Sequence, residues 1–136
     1  MPTSCPFCTL EGLILRNDLA GVRFDRYPVT PGHCLIIPFR HVADFFATTE
    51  DERRAMLALA EEAKALLDRE RGPAGYNLGI NVGVVAGQTV PHVHLHLIPR
   101  YPGDVDDPRG GVRGVIPARQ SYPFPQETGQ EENDRA

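Results

Sequence analysis

The residues best suited to chemistry lie in one stretch, Gly87-Gln88-Thr89-Val90-Pro91-His92-Val93-His94-Leu95-His96-Leu97-Ile98-Pro99. Three histidines alternate there with Val93, Leu95 and Leu97. In a strand, successive side chains point to opposite faces. The spacing therefore predicts an apolar face turned to a core, and His92, His94 and His96 in a row on the other. Along a strand that row repeats at about 6.5–7 Å. Imidazoles are costly to bury without hydrogen bonds, so the row implies a task. Two tasks fit: shared ligation of a metal ion, or nucleophilic catalysis by a neutral imidazole whose neighbours set its tautomer and support charge. Gln88 and Thr89 add an amide and a hydroxyl, donors suited to phosphate oxygens. A metal cage would more naturally add carboxylates.

A second cluster is Cys5-Pro6-Phe7-Cys8. The CxxC spacing is half of a zinc pattern, and no second CxxC follows. A reduced dithiol and a redox pair are the alternatives, the latter weakened because no helix start follows to lower a thiol pKa. Cys34 sits in an apolar run and reads as core.

The elements that must position these groups follow from local pattern. Val22 to Asp25 and Cys34 to Ile37, the latter closed by Pro38, read as strands around the turn Tyr27 to Gly32. Residues 49–71 predict a helix. Thr49 and Glu52 form a capping box. Met56, Leu59, Ala60, Ala63, Leu66 and Leu67 make its apolar face, and Gly72-Pro73 stops it. Tyr76 to Val82 reads as a strand, Gly83 to Gly87 as a loop, and 92–98 as the last strand, ended by Pro99. The charges of the helix, such as Arg53 and Glu61, read as its solvated face. This order predicts an α+β fold, with an antiparallel sheet of about five strands, one long helix and a short one, in a single domain over 1–123. Residues 124–136 read as a polar, disordered tail.

At 136 residues the chain suits one domain. Its formal charge of −4 argues against a nucleic-acid partner, which calls for a basic stripe. No stretch offers the ~20 apolar residues of a membrane span. Three cysteines and no secretory leader point to a reducing, cytoplasmic setting.

The run His92 to Ile98, together with Gly87 to Val90 and the upstream segment Asp25-Arg26-Tyr27-Pro28-Val29-Thr30-Pro31-Gly32-His33-Cys34-Leu35-Ile36-Ile37-Pro38, resembles the two signatures of the histidine triad (HIT) family. The resemblance implies a HIT-like fold and a nucleotide hydrolase that cleaves a phosphoanhydride or phosphoramidate bond. His94 would be the nucleophile, His96 would contact the phosphate, and His92 and His33 would back the site. Asn81, Gln88 and Thr89 would contact phosphate or leaving group. Asp25 would bind the ribose hydroxyls, as a carboxylate can. His96 stands where uridylyltransferase relatives have Gln, which favours a hydrolase. Ile98 to Asp104 is similar to the dinucleoside polyphosphate hydrolase branch. The alternatives are a nucleotidyl transferase or phosphorylase, and a non-catalytic nucleotide-binding module. Bacterial members with an N-terminal CxxC imply structural zinc on Cys5, Cys8, His41 and His92. The family further implies a purine nucleotide or dinucleoside polyphosphate as partner, and a homodimer. One departure stands out. Arg23 occupies a place where relatives set an apolar residue against the base; it would stack on a purine or point to solvent. Residues 104–122 would form a lid or a dimer contact.

Overall fold

The computed structural model describes residues 5–125. They fall into two compact units, one ending at Asp104 and one beginning at Val105.

The first unit is a five-stranded antiparallel sheet with one long helix. Its strands are β1 (Leu15–Arg16), β2 (Ala20–Phe24), β3 (Cys34–Pro38), β4 (Gly75–Ile80) and β5 (Leu95–Arg100), in the order β1-β2-β3-β5-β4. Helix α1 spans Glu50–Arg71. The Thr49–Glu52 capping box forms as expected, and Gly72 ends the helix in the left-handed region at φ 56°. Acidic residues fill the first turn and Arg69 and Arg71 the last, the arrangement that suits the helix dipole. Met56, Leu59, Ala60, Ala63 and Leu67 pack on Val22, Cys34, Ile36, Val93, Leu95 and Leu97. The helix therefore covers one face of the sheet. Truncating a fully buried member such as Leu59 to Ala costs about 2–5 kcal/mol.

Two expectations shift. The last strand begins at Leu95 rather than 92, because Val93 N–H bonds the carbonyl of Val42 and His92 N–H bonds that of Val90, outside the ladder. It also runs through Pro99, which was expected to end it. The Pro99 carbonyl accepts from Thr30 Oγ1 at 2.7 Å. On that side β3 has not yet begun, so the missing N–H deprives no partner. The tail expected from residue 124 lies, from 126 on, outside the described residues. No described helix is long and apolar enough to cross a membrane.

In the second unit, short 3-10 turns at Gly111–Val115 and Pro117–Arg119 wrap around Gln120. Arg109 and Arg113 lie over Phe124 and Tyr122, at 4.6 and 4.5 Å.

Candidate functional site

The sheet face away from α1 carries the chemistry. Arg23 on β2 is opposite Leu35 on β3, Leu35 is opposite His96 on β5, and His96 is opposite Gly79 on β4. Opposed residues of an antiparallel ladder share a face, so these four form one row. Gly79 has no heavy atom within 4 Å of where a Cβ would stand, which leaves space beside His96. Asn81 is half-buried just past β4, and continuing the register sets it opposite His94.

The tautomers follow from the hydrogen bonds. His94 Nδ1 is 2.9 Å from the carbonyl oxygen of His92. A carbonyl only accepts, so Nδ1 carries the hydrogen and Nε2 keeps its lone pair. His33 Nδ1 accepts from Val29 N–H at 3.1 Å, so its hydrogen sits on Nε2. That nitrogen is 2.9 Å from His96 Nδ1 and 3.4 Å from Asp25 Oδ2. His96 Nδ1 accepts from it, so the His96 hydrogen is on Nε2. The result is a directed chain: Val29 N–H to His33, His33 to His96, and a donor left at His96 Nε2. Burial, then His94 and His33, push His96 down from 6.5 to about 4, with Asp25 opposing. Burial also lowers His33 against the pull of Asp25. Both rings stay neutral near pH 7. Asp25 Oδ1 accepts from Tyr27 N–H at 2.9 Å, closing the turn.

His92 leaves the expected row. Its ring joins Cys5, Cys8 and His41, whose ligand atoms all lie within 4.8 Å of one another. His92 Nδ1 is 3.5 Å from Cys5 Sγ, 3.6 Å from Cys8 Sγ and 3.3 Å from His41 Nδ1, and His41 Nδ1 is 3.3 Å from Cys8 Sγ. A tetrahedron with Zn–N of about 2.0–2.1 Å and Zn–S of about 2.3 Å has edges of about 3.3–3.8 Å. The donor set and its spacing thus fit zinc. His92 Nε2 is 2.7 Å from the Pro38 carbonyl, the outer bond that fixes a ligating imidazole. His41 is steadied from the side: the preceding Arg40 forks onto Glu52 of α1 at 3.0 and 2.8 Å, which holds that carboxylate down at about 2.

The structure brings together all four predicted metal ligands, and sets His94, His96, His33 and Asp25 beside them. Gln88 is engaged differently from a free phosphate donor. Its Oε1 accepts from Gly83 N–H, and its Nε2 donates to the Ala43 and Val90 carbonyls. Thr89 beside it is exposed. Phe7 had no part in the expected site, and Arg23 had a different one. Phe7 stands edge-on to His94, 4.9 Å between ring centroids. Arg23 neither stacks on an open site nor points to solvent; it bonds the CxxC loop, donating to the Pro6 and Thr9 carbonyls. Only its position two residues before Asp25 had marked it.

Residues 11–103 match the HIT domain family model. The chain is similar to an AP-4-A phosphorylase of Mycobacterium tuberculosis, 33% identical over 98 residues. It is similar also to a bis(5′-nucleosyl)-tetraphosphatase (asymmetrical) of Schizosaccharomyces pombe, 35% identical over 92 residues. The matches cover 71% and 68% of this chain and 50% of each relative. Among solved structures, a Zn-bound histidine triad family protein from Mycobacterium smegmatis superposes with a TM-score of 0.68 at 29% identity. That match covers 97% of this chain and 88% of that one.

Proposed function

The chain belongs to the HIT domain family, and from that premise we propose that it is a nucleotide hydrolase. In this reading it cleaves a phosphoanhydride of a dinucleoside polyphosphate, or a phosphoramidate, through a nucleotidyl-histidine on His94. The observation that carries the reading is the bond from His94 Nδ1 to the His92 carbonyl, which leaves Nε2 as a bare lone pair. A neutral imidazole so fixed is a nucleophile.

In the first step Nε2 bonds the α-phosphorus while the bond to the leaving oxygen or nitrogen breaks. The leaving group departs with the bonding pair and takes a proton from solvent. In the second, water bonds that phosphorus and gives up a proton to solvent, the His94–P bond breaks with its pair returning to Nε2, and a nucleoside monophosphate leaves. His96 Nε2–H donates to the phosphate oxygens as charge builds, and His33 holds that tautomer. Asp25 takes the ribose hydroxyls of a purine nucleotide. Asn81 and Thr89 reach the phosphate. Gln88 holds the Gly83–Val90 loop and touches phosphate or leaving group by giving up one of its backbone bonds. Zinc on Cys5, Cys8, His41 and His92 would supply structure, fixing the backbone whose carbonyl receives His94. The edge strand β4, with Leu78 46% exposed, supports pairing of two copies into a homodimer, to be checked by light scattering. A cytoplasmic setting, which keeps thiols reduced, suits a Cys ligand pair.

The M. tuberculosis relative's name supports a second reading, in which inorganic phosphate replaces water and a nucleoside diphosphate is released. The test is product chromatography after incubation with diadenosine tri- and tetraphosphate and adenosine phosphoramidate, with and without phosphate. AMP from the wild type and a loss of at least about 10³-fold in His94→Ala is the expected result. A diphosphate that appears only with added phosphate selects the phosphorylase. Binding of AMP without turnover of any substrate rejects both.

A further inference from the structure

Arg23 is placed to read a ligand and is used for something else. It shares the site face, and one cross-strand row, with His96 two strands away, about 10 Å at 4.7–4.9 Å per strand. Yet its guanidinium turns to the loop that carries the two cysteines. Nη1 donates to the Pro6 carbonyl at 3.1 Å and Nη2 to the Thr9 carbonyl at 2.6 Å. These two carbonyls bracket Phe7 and Cys8. The guanidinium carbon lies 5.8 Å from the centroid of the Phe7 ring. The third kind of N–H, at Nε, is buried and has no hydrogen-bond partner among the described residues. A planar fork with both arms spent on one loop is built to hold that loop.

What the loop does explains why it is held. Between its cysteines Phe7 presses edge-on against the His94 ring at 4.9 Å and lies 6.3 Å from that of His92. On either side of Phe7, Cys5 and Cys8 approach His92 and His41. The segment has a single internal backbone bond, Cys8 N–H to the Cys5 carbonyl, so its shape depends on outside contacts. The thiols fasten it at one side and Arg23 at the other.

We propose that Arg23 is a positioning residue that clamps the Cys5–Cys8 loop onto the sheet, so that one side chain of β2 governs both the retention of metal at the Cys/His cluster and the seating of the nucleophile His94 through Phe7. The metal half rests on zinc occupying the cluster, and the turnover half rests on His94 being the nucleophile. The clamp itself rests on the hydrogen bonds alone. Lysine keeps the charge and most of the stem but offers no fork, so Arg23→Lys recovers only part of the function. Leucine keeps bulk and offers no donor.

The test compares wild type, Arg23→Leu, Arg23→Lys and Phe7→Leu in three readouts. Hydrogen exchange by mass spectrometry of the peptide holding residues 5–10 reads the clamp directly. Zinc release to a coloured chelator reads metal retention. Values of kcat and KM on diadenosine tetraphosphate read the nucleophile. In Arg23→Leu, exchange of that peptide and zinc release both speed up about 10-fold or more, as loss of two charge-assisted bonds implies. Its kcat falls by a similar factor while KM stays within about twofold. Arg23→Lys falls between. Phe7→Leu lowers kcat and leaves zinc release near wild type. Unchanged exchange in Arg23→Leu overturns the clamp, as does a raised KM with unchanged kcat, which would make Arg23 a ligand contact. If Arg23→Leu does not fold, Arg23→Lys decides by the same two outcomes. A wild type without turnover rejects the hydrolase reading, while the exchange readout still decides the clamp.

Discussion

Among the described residues, two clusters of potential metal ligands sit within one site, and they are built in opposite ways. In Cys5, Cys8, His41 and His92, the donor atoms all lie within 4.8 Å of one another, and His92 and His41 approach each other and the thiols at 3.3–3.6 Å. Of the two ring nitrogens turned outward there, that of His92, Nε2, meets a carbonyl acceptor at Pro38. In Asp25, His33 and His96 the nitrogens instead alternate as donor and acceptor at 2.9 Å, and His33 Nδ1 receives the Val29 N–H. Ligation through His33 Nε2 would put the ring hydrogen on Nδ1, against that N–H. The comparison teaches that histidine count and proximity do not separate metal binding from proton sharing. The position of the outer hydrogen-bond partner does.

Substitutions in each cluster should have separable effects. His96→Ala removes the donor aimed at the phosphate and should cost about 10²–10³-fold in kcat, measured in steady state with metal content unchanged. Cys8→Ser should abolish stoichiometric zinc, measured by atomic emission. It should lower stability by about 3–4 kcal/mol, the contribution of a ligand well above its Kd, measured by urea unfolding. Asp25→Asn, in the other cluster, should leave zinc content at the wild-type level; loss of the metal there would erase the distinction drawn above.

Acid titration separates His96 from Glu52, the partner of Arg40, by pH window. His96 falls from 6.5 to about 4 in the folded protein, so between those values the unfolded chain binds more protons and stability drops as pH falls. Glu52 falls from 4.5 to about 2, and its stabilising contribution is present above 4.5 and lost on the way to 2. His96→Gln should flatten the upper limb and Glu52→Gln the lower, read from unfolding free energy against pH. At neutral pH Glu52→Gln keeps the cap, which glutamine also serves, but loses the charged fork to Arg40, and should cost about 1–3 kcal/mol, read from urea unfolding.

Much of this was readable in advance because it depends on local pattern. Thr49 and Glu52, three apart, announce the start of α1, and Gly72 its end. Alternation in Val93 to Leu97 announces the core side of β5. What was not readable depends on where distant backbone groups lie. The ladder releases His92 because Val93 pairs with Val42, 51 residues away. Pro99 stays in its strand because β3 starts too late to need its N–H. Gln88 looks like a free amide until Gly83, Ala43 and Val90 surround it, and Arg23 looks like a base contact or a solvent residue until Pro6 and Thr9 reach it.

The sequence separations within the Cys/His cluster set an order of assembly. Cys5 and Cys8 are neighbours in any state of the chain, but His41 is 33 residues from Cys8 and His92 is 87 from Cys5. Closing loops of that size is an entropic cost met only once non-local pairing is in place. A bound ion would therefore meet two thiols early and its full complement late, after β3 and the segment before β5 have docked. Its escape would then have two routes, detachment of the Cys5–Cys8 loop and opening of the sheet, and comparing release in wild type and Arg23→Leu tells them apart.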